Sequence, residues 1–154
     1  MNARRNFLND TARVAVALAA AGYLPAALAQ SGGWNKAAFD AKTVADLMKA
    51  LGASAPTESR EVSLTAPDIA ENGAVVPIGV ASSLAGAKRL LVLVEKNPNT
   101  LAAAFDVTDG VEPNFSTRVK MGQSSDVFAV ALTADGKAFF SKKEVKVTLG
   151  GCGG

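Results

Sequence analysis

The residue best suited to chemistry in this 154-residue chain is its only cysteine, Cys152, set between glycine pairs in Leu149-Gly150-Gly151-Cys152-Gly153-Gly154. Glycine has no Cβ and accepts nearly any backbone dihedral, so Gly150, Gly151, Gly153 and Gly154 read as a flexible arm that packs against nothing. At about 3.3–3.6 Å per residue, the step from Leu149 carries the thiol roughly 10 Å off the body. That reach suits a sulfur atom delivered into another protein's pocket, and suits neither a core residue nor an internal disulfide. A lone cysteine leaves three fates: a free reactive thiol, an interchain disulfide, or a covalently loaded site. No residue beside Cys152 favours the thiolate, since the last charge before it is Lys146. A modest nucleophile of this kind reads as a passenger, a carrier thiol activated inside partner enzymes while its covalent load is kept from diffusing away.

Other chemistries lack their residues. The chain has no histidine, which removes Ser-His-Asp and Cys-His relays, His-based metal sites and the usual base near neutral pH. One cysteine builds neither a Cys-rich zinc site nor an iron–sulfur site, so no metal ligands are assigned. No glycine-rich loop has a nucleotide-binding pattern. Glu58, Glu61, Asp68 and Glu71 are scattered and read as turn or surface charge.

Residues 1–29 read as an export signal. Arg4-Arg5-Asn6-Phe7-Leu8 begins it with a twin arginine, Val14 to Ala29 is apolar or small, and Ala27-Leu28-Ala29 is a small-x-small site, placing cleavage between Ala29 and Gln30. The apolar run is short for a membrane span and broken by Pro25. No cysteine follows it, which argues against a lipoprotein. The twin arginine points to the Tat route for folded proteins and hence to a periplasmic location, although Ala3 before the pair departs from the pattern. Of sixteen Lys and Arg and fourteen Asp and Glu, the signal takes Arg4, Arg5, Arg13 and Asp10, leaving thirteen of each. The mature chain is thus neutral, with no basic stripe for nucleic acid or an anionic membrane.

Residues 30–149 must then position the arm, 150–154. Trp34 to Leu51 reads as helical, with Val44, Leu47, Met48 and Leu51 on one face, a restart at Thr43 or Asp40, and a stop at Gly52. From Arg60 the rhythm is β: Glu61–Thr65, Ala74–Val80, Leu90–Val94, Leu101–Val107, Phe115–Lys120, Asp126–Thr133 and Lys137–Leu149. Pro67-Asp68, Glu71-Asn72-Gly73, Asn97-Pro98-Asn99 and Asp109-Gly110 separate them, and Asp135-Gly136 predicts a type I′ hairpin. About seven short strands after a short helical segment give an all-β antiparallel β-sandwich. Leu90–Val94, Phe128 beside Val127, and Phe139 beside Phe140 are apolar on both faces, which means either an unusually covered sheet or a partner interface, with the partner slightly favoured.

Several stretches resemble the SoxY family of sulfur-oxidation carriers. They are the Arg4-Arg5 leader, Leu51-Gly52, the run Leu64-Thr65-Ala66-Pro67-Asp68-Ile69-Ala70-Glu71-Asn72-Gly73, Val76-Pro77, Glu95-Lys96-Asn97-Pro98-Asn99, and Val145-Lys146-Val147-Thr148-Leu149-Gly150-Gly151-Cys152-Gly153-Gly154. Thr100 departs from the second proline expected after Asn97-Pro98-Asn99. The resemblance implies an immunoglobulin-like sandwich that pairs as a heterodimer with a SoxZ-like β-sandwich subunit. It implies no cofactor beyond sulfur intermediates bound covalently to Cys152. A c-type cytochrome would couple thiosulfate to Cys152 as S-thiosulfonate, and a hydrolase would release sulfate. A sulfane dehydrogenase would oxidise the remaining persulfide.

Three rivals remain. An exported binding module would use Cys152 for an interchain disulfide. A C-terminal thiocarboxylate carrier would use Gly153-Gly154, but needs ATP outside the cytoplasm. A sulfurtransferase would need a base or anion cradle beside Cys152. The family partner lacks a signal of its own, so export as a folded pair is expected to depend on this leader. Replacing Arg4 and Arg5 with lysine should strand both subunits in the cytoplasm by cell fractionation; continued export of the partner subunit would overturn this.

Overall fold

The computed structural model describes residues 35–149. Two short helices come first, α1 (Lys36–Phe39) and α2 (Val44–Ala50). A helix start needs acceptors for its free N–H groups. Asn35 Oδ1 accepts Ala38 N–H at 3.0 Å, and Thr43 Oγ1 accepts Asp46 N–H at 3.1 Å. The restart therefore falls at Thr43, while Asp40 closes α1.

The strands are β1 (Thr57–Glu58), β2 (Val62–Thr65), β3 (Ile69–Ala70), β4 (Val76–Ser82), β5 (Ala87–Val94), β6 (Leu101–Asp106), β7 (Asn114–Val119), β8 (Ser125–Thr133) and β9 (Ala138–Val147). The larger sheet has the order β1-β9-β8-β5-β6, with β3 also on β9, and the smaller has the order β2-β4-β7. The seven expected strands are all present, and the all-β sandwich stands. The two-residue β1 and β3 are additions, and both run parallel to β9.

Side chains alternate along a strand, and that alternation builds two cores. Val76, Ile78 and Val80 of β4 meet Leu90, Val92 and Val94 of β5 between the sheets, with Val127, Ala129, Met121 and Val145. Leu91 and Leu93 point the other way, where Ala38, Ala41, Leu47 and Met48 of the helical segment cover them with Val130 and Leu132. Phe139 packs on the first core. Phe128 and Phe140 pack on the second, with ring centroids 5.6 Å apart. The two-sided apolar strands are thus corrected from a partner face to a face covered by this chain's own helices. A strand sandwiched between a sheet and a helical layer has no wet side. The outer face of the smaller sheet is the less covered one, with Gly79 between Thr65 and Ser116 in a shallow groove of about 600 Å³.

The β8–β9 turn also differs from expectation. Gly136 has φ 79°, but no described non-glycine residue has a positive φ, so Asp135 cannot take its place in a type I′ turn. The turn is longer: Gly136 N–H donates to Thr133 C=O at 3.0 Å, and Thr133 N–H to Lys137 C=O at 3.0 Å. Asp135 finds partners instead, in Lys137 at 2.7 Å and the Thr133 hydroxyl at 2.5 Å. The Lys137 hydrogen bond, followed by that of Thr133, lowers the Asp135 pKa to about 2.

Leu47 is fully buried between α2 and the larger sheet, so Leu47→Ala leaves a cavity as well as losing transfer energy. It should cost about 2–5 kcal/mol by chemical denaturation. A loss below the 1 kcal/mol level would mean that the helical layer is not packed as described.

Candidate functional site

Cys152, Gly150, Gly151, Gly153 and Gly154 lie outside the described residues, as do Arg4, Arg5, Ala29 and Gln30. What is described is the root from which the glycine arm departs: the last residues of β9 and Leu149. A strand end normally frays, and this one is bonded along both edges. On one side Lys146 N–H donates to Asp68 C=O at 3.0 Å and Thr148 N–H to Ala70 C=O at 3.1 Å. The Thr148 hydroxyl donates to Glu71 C=O at 3.0 Å. Gly73 N–H then donates to Leu149 C=O at 2.7 Å, holding the last residue before the arm. On the other side Val147 N–H donates to Ser124 Oγ at 2.9 Å.

The segment doing this holding is itself held. Asn72 Oδ1 accepts Ala74 N–H at 2.8 Å in an Asx turn. Met121 N–H donates to Gly73 C=O at 2.7 Å, and the Met121 side chain is fully buried. Lys143 of β9 donates to Ala66 C=O at 2.7 Å and pairs with Asp68 at 2.9 Å. The Asp68 side chain is largely exposed, so its ion pair contributes little. Its carbonyl is the important acceptor.

The β5–β6 loop lies at the same end, since Val94 of β5 pairs with Val127 of β8, and Ser125 of β8 with Val145 of β9. Asn97 Nδ2 donates to Lys120 C=O at 2.7 Å, and Lys96 N–H to Ser125 Oγ at 3.0 Å. Lys42 reaches Pro98 C=O at 2.8 Å and Asn99 Oδ1 at 2.5 Å. Thr100 donates its N–H to Ala41 C=O at 3.0 Å and accepts Val94 N–H at 2.9 Å, both with backbone atoms, so the loop closes without a proline there. The Pro67–Gly73 run and the Glu95–Asn99 run, far apart in sequence, are both bonded to the segment 120–125, Gly73 through Met121 and Asn97 through Lys120.

The charges with shifted titration lie elsewhere. Hydrogen bonding to Asp135 raises the Lys137 pKa, and hydrogen bonding to Asp126 raises that of Lys142. Lys142 Nζ lies 2.9 Å from Asp126 and 5.7 Å from the Phe128 ring centroid. The root contributes position, through backbone carbonyls and amides. Asp68 and Glu71 read in sequence as turn or surface charge; together with Ser124 they supply two backbone carbonyls and one hydroxyl. The signal for the first two was the turn chemistry of Pro67-Asp68 and Glu71-Asn72-Gly73. No signal marked Ser124.

Ser124→Ala removes the Val147 N–H acceptor and should cost about 1 kcal/mol locally. Amide exchange at Val147 and Thr148 should quicken about fivefold, with β5 unaffected; unchanged exchange at both would remove Ser124 from the root.

The family model described as "Sulfur oxidation protein SoxY" matches residues 47–152, a span that takes in the arm root and reaches Cys152. A solved structure of the sulfur carrier protein SoxY from Chlorobium limicola f thiosulfatophilum is 37% identical. The match covers 62% of this chain and 87% of that one, with a TM-score of 0.55. Two superoxide reductase (neelaredoxin) variants from Ignicoccus hospitalis each give a TM-score of 0.50 at 14% identity. They cover 56% and 64% of this chain, and 78% and 86% of their own. That likeness is one of fold alone. No curated protein sequence matches significantly. The family match runs through the strands, the loops that hold the root and the cysteine beyond it, and the chain belongs to the SoxY family of sulfur-oxidation proteins.

Proposed function

We propose that this protein is a periplasmic sulfur carrier, the substrate of partner enzymes and not itself an enzyme, with Cys152 as the covalent attachment site. The observation that carries the reading is the doubly bonded end of β9, which gives a glycine-bracketed cysteine a fixed point of departure. Family membership over residues 47–152 supports it, as does the name of the Chlorobium relative, a sulfur carrier protein.

The cycle is the one that the SoxY resemblance implies. In the first step a c-type cytochrome takes two electrons while the Cys152 thiolate and the sulfane sulfur of thiosulfate form an S–S bond, giving Cys–S–S–SO3⁻. In the second, a hydrolase adds water across the bond between the outer sulfur and the sulfonate. This releases sulfate and two protons and leaves the persulfide, Cys–S–S⁻. A sulfane dehydrogenase then passes six electrons from the outer sulfur to a c-type cytochrome acceptor while three waters supply its oxygens, giving Cys–S–SO3⁻ and six protons, and a second hydrolysis releases sulfate and frees the thiolate. A SoxZ-like subunit accompanies the carrier, and the pair leaves the cytoplasm folded, through the Tat route. Gly150, Gly151, Gly153 and Gly154 let the backbone on both sides of Cys152 pass into narrow pockets that a Cβ would obstruct.

Intact mass spectrometry of natively purified protein, before and after reduction, tests the reading. A reducible thiosulfonate or persulfide adduct on Cys152, absent in Cys152→Ser, is expected. A bare thiol or a simple disulfide dimer from cells grown on thiosulfate would favour the exported binding module instead. Gly151→Val and Gly153→Val should react normally with iodoacetamide yet lose about tenfold or more in turnover with the hydrolase, as expected when a reacting atom is misplaced by an ångström. Full turnover in both would remove the narrow-pocket role of the glycines.

A further inference from the structure

Four large apolar side chains are prominently exposed among the described residues: Leu149 at 71%, Ile69 at 57%, Val75 at 53% and Val111 at 43%. Scattered exposed apolar residues need no explanation, but three of these four lie in the segments that hold the arm root. Ile69 of β3 is in register with Lys146 of β9. Leu149 accepts the Gly73 N–H. Val75 follows Gly73 by two residues, its own N–H bonded to Asn72 C=O at 3.3 Å. None of the three belongs to either core, so folding does not account for their character.

Reach decides what meets them. Cys152 follows Leu149 by three residues, and a fully extended chain of that length spans about 10 Å. An enzyme whose reacting groups lie at the bottom of a pocket must therefore bring the rim of that pocket onto the surface around Leu149. We infer that Ile69, Val75 and Leu149 form an apolar collar that seats the pocket rim of an enzyme working on Cys152-bound sulfur. The inference rests on the carrier reading and adds the docking surface to it. Three side chains make a small contact, suited to partners that must bind, react and leave. Because the collar belongs to the root and not to the arm, it is presented identically whatever sulfur species Cys152 carries.

Val111 supplies an internal control. Its loop follows β6, whose Asp106 faces Arg89 at the start of β5; Arg89 faces Leu132 near the end of β8, which faces Ala138 at the start of β9. The ten residues of β9 then separate that end of the sandwich from the arm root by roughly 30 Å.

The test uses the full chain, with its partner subunit, loaded chemically. Tetrathionate and the Cys152 thiolate exchange to give Cys–S–S–SO3⁻ and free thiosulfate, which needs no cytochrome. Sulfate release by a thiosulfohydrolase is then measured for wild type, Ile69→Asp, Val75→Asp, Leu149→Asp, Leu149→Met and Val111→Asp. Each of the three collar Asp variants should raise KM about tenfold with kcat within about twofold, the signature of lost docking and not of lost chemistry. Leu149→Met, which keeps an apolar side chain, should have a KM between those of wild type and Leu149→Asp; Val111→Asp should behave as wild type, and iodoacetamide should alkylate all the reduced proteins at one rate. An unchanged KM in the collar variants would overturn the collar, as would an equal rise in Val111→Asp. So would a change in self-association without a change in KM, which would assign the patch to a second copy of this chain. If wild type loads but releases no sulfate, the carrier reading itself fails and takes the collar with it.

Discussion

The backbone hydrogen bonds that grip the end of β9 are the constraint on which the rest of the molecule turns. A flexible arm can search only the space around its base, and here the base is held from two sides by atoms that do not move independently of the fold. Asp68, Ala70 and Glu71 give carbonyls, Gly73 gives an amide, and Ser124 gives a hydroxyl from the opposite edge. Backbone acceptors suit the task because they have no rotamers to lose. The buried Met121 ties this clasp to the inter-sheet core, so the position of the arm root is inherited from the packing of the whole sandwich.

The helical segment serves the same end indirectly. Covering Leu91 and Leu93 with Leu47 and Met48 lets β5 be apolar on both faces, which makes the larger sheet a buried layer and not a half-wet one. The covering segment is also fastened at the arm end, through Lys42 to Pro98 and Asn99, and through Ala41 to Thr100. Stability and positioning therefore share residues. The larger sheet gains its rigidity from two cores, and the loops at one end gain theirs from the sheet.

Much of this was legible in the residues. Alternation marked the seven main strands, and Val44, Leu47, Met48 and Leu51 marked a helix face that does lie against the sheet. Three things were not. Leu90 to Val94 announced burial on both sides but carried no sign of what lay on either, because periodicity describes a strand and says nothing of its neighbour. Asp135-Gly136 looked like the two positive-φ positions of a tight turn; local hydrogen bonding to Thr133 and Lys137, two residues away on either side, instead accompanies a negative φ at Asp135. Hardest to read were β1 and β3. A two-residue strand has no pattern, and its partner is a parallel strand close to the other end of the chain. The candidate cysteine needed no structure to be found, whereas its anchorage depends on carbonyl oxygens that every residue possesses.

The parallel contact between β3 and β9 has a kinetic consequence. The Thr148 hydroxyl and the Glu71 carbonyl that accepts it are 77 residues apart. Closing so long a loop costs entropy before any contact repays it, so such pairings form late. Strand β9 is also synthesised after every strand that it pairs with. The grip on the root needs residues 68–73 and Ser124 to be in place, so a chain in which either segment is unformed has no anchored end to its larger sheet. A half-made molecule therefore lacks the fixed point at Leu149 from which the rest of the chain departs.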